Sequence, residues 1–281
     1  MALRALLARQ IRRPFLEPGG ARPAVLPAPQ DRRLLPPGSV CFDVHADVTV
    51  MMIGGIASLL VQMLHPEALA GVWDFSNFRR DLGGRLRRTA AFIAVTTFGA
   101  REEAEAAIAR VRRVHAAVRG WLPDGTPYRA DEPSTLAFVG AVEALSFLKA
   151  WRRYREPWMT RRRQDRYVAE VGEVTRRLGG WPVPDTRAQA EALVEAARPR
   201  LVVDARTREV CRILLSAPPP APALAPIQRL LTQAAIDLLP PWARALHGLP
   251  VAAPAPVVRA SAAGLGAMAR WALTARPAGS A

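Results

Sequence analysis

Lysine is almost missing from this 281-residue chain: Lys149 is the only one, although the formal net charge is +15 and the pI is near 11.4. The basicity is therefore carried by arginine, spread along the chain among Glu and Ala. The densest run, Arg161-Arg162-Arg163, has no interleaved aromatics of the kind that stack on bases, so a nucleic-acid partner is not expected. Cysteine is nearly as scarce. Cys41 and Cys211 form no CxxC pair, which excludes a disulfide framework and a thiolate zinc site and suits a reducing, cytoplasmic setting. Phosphate loops ending in Lys-Ser/Thr, the Gly-x-Ser-x-Gly elbow and His-Glu-x-x-His are absent, and no repeat recurs at a fixed period.

Long apolar runs are also lacking. The single near-continuous one, Val48 to Leu64, contains Gly54, Gly55, Ser58 and Gln62 and reads as a buried core helix. Asp47 is placed to cap its start, and Pro66 to end it by disfavouring helical geometry at His65. Alternating strand patterns are scarce, and helix follows helix. Segments are expected at 85–98, 101–119, 133–154, 160–178, 187–198, 204–215 and 227–239, with a turn at Pro123-Asp124-Gly125-Thr126-Pro127. The 133–154 segment is apolar nearly all round, as befits a helix running through the middle of a bundle. The reading is an all-α fold: a single multi-helix bundle domain, residues 41–275, around a central apolar helix. A basic, Pro-rich N-terminal tail (1–40) and a short C-terminal tail (276–281) flank it. Residues 1–17 combine arginines with Leu and Ile and offer a possible peripheral membrane contact. They do not read as a signal peptide, because arginines interrupt the apolar stretch.

Helical spacing brings the candidate chemistry together. Arg85, Thr89, Phe92 and Thr96 form one stripe, with Arg88 on the neighbouring row, and Ile108, Val111, His115 and Val118 form another. One stripe offers cations and hydroxyls above an aromatic ring, the other an imidazole among aliphatics, as two walls of a flat pocket. Taken from spacing alone, a histidine on an apolar face is also what a core residue bonded to a carbonyl looks like. His65, before Pro66, is placed to cap free carbonyls or line a pocket, and His247 reads as a turn residue. Asp43-Val44-His45-Ala46-Asp47 offers three metal ligands that no second cluster supports.

From about Asp43 to about Leu273 the chain resembles the rubber-oxygenase and MpaB-type oxygenase catalytic-domain family, which includes the latex-clearing proteins. The likeness is carried by Val44-His45-Ala46-Asp47, Leu59 to Pro66, Gly84-Arg85-Leu86-Arg87-Arg88-Thr89, Val111 to Gly120, Arg198-Pro199-Arg200-Leu201, Leu238 to Trp242 and Leu246 to Pro250, in that order. The resemblance implies an all-α fold, b-type haem and oxygen-dependent oxidation of a hydrophobic small molecule. Carried over, the proximal haem ligand falls on His115, the distal arginine on Arg85 and the distal threonine on Thr89. Arg88 stands where rubber-cleaving members have lysine, and Phe92 joins His115 and Arg85 among the haem-binding residues.

The chain departs from the pattern at Phe75 and Gly140, where many members have histidine, and at Leu145, where an acid is common. No counterpart of the catalytic carboxylate is evident, since Glu143 lies out of register, so rubber cleavage is not expected. These losses leave a second reading open: a haem-free helical binding or interaction module that keeps the fold.

Overall fold

The computed structural model describes residues 27–219, 221–250 and 254–273. Among these are twelve α-helices and one two-stranded hairpin. The segment before residue 27, including the basic stretch 1–17, and the segment 276–281 lie outside the described residues.

Asp47 divides the first two helices, α1 (Val40–Ala46) and α2 (Val48–Gln62), which meet at 90°. Its carboxylate accepts the Val50 amide at 3.0 Å and also Arg270 Nη1 at 2.8 Å, so the N-cap is itself anchored to the far end of the chain. The central helix α6 (Pro133–Tyr154) crosses α2 closely. A β-carbon on Gly54 of α2 would stand 2.5 Å from Phe147 Cδ1 of α6, so only glycine permits that approach. Ile53, Leu60 and Leu64 meet Phe138, Phe147 and Leu148 in this seam, each adding about 1.5–3 kcal/mol by leaving water. By length and composition α6 could cross a membrane; here it is the middle of the bundle.

Around it lie α7 (Arg161–Leu178), α8 (Arg187–Ala197), α10 (Ala225–Leu238), α11 (Pro241–His247) and α12 (Ala255–Leu273). Local signals start and stop them. Thr160 caps α7, Thr186 and Gln189 form a capping box on α8, and Gly179, at φ +102°, ends α7 in the left-handed region.

A second group of elements builds the site. It comprises α3 (Pro66–Phe75), α4 (Leu82–Phe98), α5 (Arg101–Ala117) and α9 (Ala205–Leu215). Asp81 caps α4 by accepting the Gly84 amide at 2.7 Å, and Glu103 accepts the Ala100 amide at 3.1 Å at the start of α5. After α5 the chain forms β1 (Arg119–Trp121) and β2 (Pro127–Arg129), paired antiparallel with Gly120 opposite Tyr128. The Pro123–Pro127 turn expected from the sequence is thus a hairpin loop, with Gly125 at φ +84°.

The packed chain begins before residue 41. Leu34 and Leu35 are buried, Arg33 bridges to Ala100, and its guanidinium lies 4.7 Å from the Phe42 ring centroid. Residues 27–39 therefore lie against the bundle rather than extending as a tail.

Candidate functional site

His115 projects from the last turn of α5 between two cavities and lines both. The inner one, about 110 Å³, is enclosed by α1, α4, α6 and α7. The outer one, about 300 Å³, opens between α3, α4, α6, α9 and the hairpin. The imidazole has no hydrogen-bond partner among the described residues, and Nδ1 is fully buried. Burial lowers its pKa, the Asp131 carboxylate opposes that and the nearby Arg85 adds to it, so the ring is held neutral at pH 7.

The stripe expected on α4 divides. Arg85 lines the outer cavity beside His115, while Phe92 and Thr96 line the inner one. Arg85 makes a single long contact, 3.5 Å to Ser76 Oγ, and burial followed by the neighbouring Arg88 lowers its pKa. Thr89 and Arg88 do not form a cavity wall. Thr89 is exposed and donates its hydroxyl to the Arg85 carbonyl at 3.2 Å, the back-bond typical of a helical threonine. The Arg88 side chain is 63% exposed and pairs loosely with Asp81 at 3.7 Å.

The remaining walls of the outer cavity are mostly aliphatic and aromatic: Leu59, Met63, Leu69, Phe78 and Leu86 among them. One carboxylate joins them, Glu67 of α3, which accepts the Thr135 hydroxyl. Sequence reasoning passed over Glu67 because α3 itself was not predicted; Pro66-Glu67 after His65, a proline and an acid in a first helical turn, was the signal. Phe75 sits at the cavity edge, 55% exposed.

The inner cavity also has polar side chains in its wall. His45 is clamped there, Nδ1 2.8 Å from Thr97 Oγ1 and Nε2 3.0 Å from Tyr167 Oη, and burial lowers its pKa to about 4. With both nitrogens engaged, Asp43 paired to Arg163 and Asp47 capping α2, the three ligands suggested by Asp43-Val44-His45-Ala46-Asp47 diverge. Glu143 also faces this cavity, without a hydrogen-bond or ion-pair partner among the described residues, and burial pushes its pKa up to about 7. Gly140 lines the cavity beside it.

The other two histidines line neither cavity. His247 bonds the Leu60 carbonyl through Nε2 at 2.6 Å, from the last turn of α11. His65 does not cap carbonyls as expected. Its ring is 1% exposed, neither nitrogen has a partner, and it packs 4.9 Å from the Phe138 ring centroid.

Residues 42–271, from within α1 almost to the end of α12, match the catalytic-domain family described as ER-bound oxygenase mpaB/B′/rubber oxygenase. The chain belongs to this family. It has no significant match among curated proteins or among solved structures. The family is one of oxygenase catalytic domains, and the match takes in His115, Arg85 and every other residue of the outer cavity. Among the described residues no group of three or more His, Cys, Asp or Glu side chains could hold a metal ion by itself.

The site offers residue types that a haem pocket uses. His115 supplies an imidazole with an orphaned buried nitrogen, Arg85 a guanidinium without an ion-pair partner among the described residues, and the walls are apolar.

Proposed function

We propose that this chain is a haem b-dependent oxygenase that oxidises a hydrophobic small molecule, with His115 as the iron ligand. The observation that carries this is the unpartnered imidazole of His115, held neutral between two cavities in a chain of the oxygenase family. His247 finds a carbonyl and His65, also without a partner, lines neither cavity, so His115 alone joins an open ring nitrogen to a cavity wall.

When bound, haem would supply the redox chemistry toward oxygen that the twenty side chains lack. The protein's part is positioning. Arg85, lining the same cavity, supplies donors suited to a propionate or to negative charge developing on an oxygen. Phe92 bounds the inner side beside His115. The apolar walls exclude water and favour a hydrophobic substrate, while Glu67, held by Thr135, is a carboxylate in the cavity wall that could move a proton.

The test is a visible spectrum of protein produced with haem supplied. A Soret band is expected, and it should disappear in His115→Ala while helical circular dichroism is unchanged. A folded, colourless wild type would overturn the reading and leave a haem-free binding module.

A further inference from the structure

Lys149 lines a third cavity, of about 60 Å³, separate from the two that meet at His115. Its walls are aliphatic, from Ala57 and Val61 of α2, Val142 and Leu145 of α6, Val194 of α8 and Leu238 of α10. Lys149 lies amid unbalanced charge: Arg153 is one helical turn further along α6, and Leu238 and Pro240 of the cavity wall adjoin Asp237 and the start of α11. The nearby acid, Asp237, is already taken by Arg153 Nη1 at 2.6 Å and by Arg259 Nε and Nη2 at 2.9 and 3.0 Å. Arg244 of α11 adds a third guanidinium that has no ion-pair partner among the described residues, and neither has Lys149.

An amine placed like this is a poor cation. Burial first, then Arg153, lowers its pKa to about 8; Asp237 opposes this, and Arg244 and Arg259 add to it. A free-amine fraction is thus present near neutral pH that a solvated lysine would lack. Burial penalises either sign of charge, but the surplus guanidinium charge that repels an ammonium attracts an anion.

We propose that Lys149 is a carbamylation site, taking carbon dioxide to form a lysine N-carboxylate that pairs with the surrounding guanidinium groups. The lone pair of the neutral ε-amine attacks the carbon of CO2 and forms the N–C bond. One C=O π pair moves onto oxygen, and the displaced N–H proton leaves to solvent. No oxidant or reductant is needed. The step replaces a repelled ammonium by a carboxylate in the field of Arg153, Arg244 and Arg259, and the mostly aliphatic walls shield the product from the protonation that would release CO2.

The test uses the full chain equilibrated with 13C-bicarbonate and read by 13C NMR. One carbamate resonance is expected, reversed in CO2-free buffer, and trapping it as an ester before peptide mass mapping should locate it on Lys149. The chain's α-amino group is the competing primary amine, and mapping separates the two. Lys149→Arg and Lys149→Met should lose the signal with unchanged circular dichroism. Arg244→Gln should lower occupancy at fixed bicarbonate by about threefold to tenfold, the effect of removing one partly solvated charge. The proposal is overturned by no resonance at saturating bicarbonate, by a label confined to the α-amino group, by a signal that survives in both Lys149 variants, or by unchanged occupancy in Arg244→Gln.

Discussion

Gly140 of α6 lies so close to Thr175 of α7 that a β-carbon added to it would stand 2.3 Å from Thr175 Oγ1 and 2.8 Å from Cγ2. The β-branched threonine has little rotamer freedom in a helix with which to yield. Gly140→Ala should therefore destabilise the fold by about 1–3 kcal/mol, despite alanine's better helix propensity. Thr175→Ala removes both obstructing atoms, so the double variant should recover most of the loss. Urea unfolding of the four proteins in a double-mutant cycle reads the coupling, and additive single effects would refute the contact.

Stability should depend on pH through opposed groups. His45 and His65, held to about 4 chiefly by burial, refuse protons that the unfolded chain accepts below its ordinary 6.5, so each removes stability as pH falls from about 6.5 to about 4. His115 and His247 are shifted the same way. Glu143 runs in the other sense: raised to about 7, it keeps a proton that the unfolded carboxyl releases, and its contribution is lost as pH rises from about 4.5 to about 7. The histidines outnumber it, and stability should climb across this window.

Glu143→Gln removes the opposing group alone. Relative to wild type the variant should gain about 3 kcal/mol between pH 5 and pH 8, an order of magnitude taken from the displacement of the Glu143 pKa. Denaturant midpoints at the two pH values measure it. A difference that stays constant would mean the carboxyl is solvated.

The division of the α4 stripe separates three residues that the sequence groups together. On the proposed haem-binding reading, Arg85→Met should weaken haem retention by about tenfold, equivalent to losing one charge-assisted hydrogen bond, while the exposed Arg88→Met and Thr89→Val should change it by less than about twofold. Transfer of haem to a large excess of apomyoglobin gives the comparison. Equal losses in all three would restore the continuous stripe.

Asp237 gathers Arg153 and Arg259 with its own side chain only 3% exposed. Burial raises its pKa, yet the Arg259 hydrogen bonds and the neighbouring guanidinium groups outweigh this and hold it below the usual carboxylate range. Asp237→Asn should cost about 2–3 kcal/mol, below the full figure for a buried pair because both arginines reach water. The loss should shrink as pH falls through the carboxylate range, since protonation removes the same charge from wild type. Thermal melts at pH 7 and pH 3 would show it.

Much of the helical frame is legible in local signals. The all-round apolar segment starting at Pro133 gives the central helix, Asp47 and Thr160 mark helix starts, and the heavy arginine faces give amphipathic surroundings. The hairpin is not legible, because its two strands are three residues long and gain their stability from Tyr128 packing against Val118 and Ala70. Helix α12 hides in an Ala- and Gly-rich stretch with little periodic contrast. At the site, spacing brings His115 and Arg85 toward one another, but which of Arg85, Arg88, Thr89 and Phe92 turn inward depends on α3 and α6 as neighbours. Glu67 enters through the same tertiary route.

Tyr128 of β2 donates its hydroxyl to Asp74 Oδ2 at 2.5 Å, tying the end of α3 to the hairpin that follows the His115 helix. Val118 and Ala130, flanking that hairpin, line the outer cavity. One side of that cavity thus rests on short pieces tied by the Tyr128–Asp74 bond, whereas its other walls belong mostly to helices. Substitutions on the short side can alter which molecules fit while the helical walls keep their shape, so selectivity in this fold is free to drift faster than its frame.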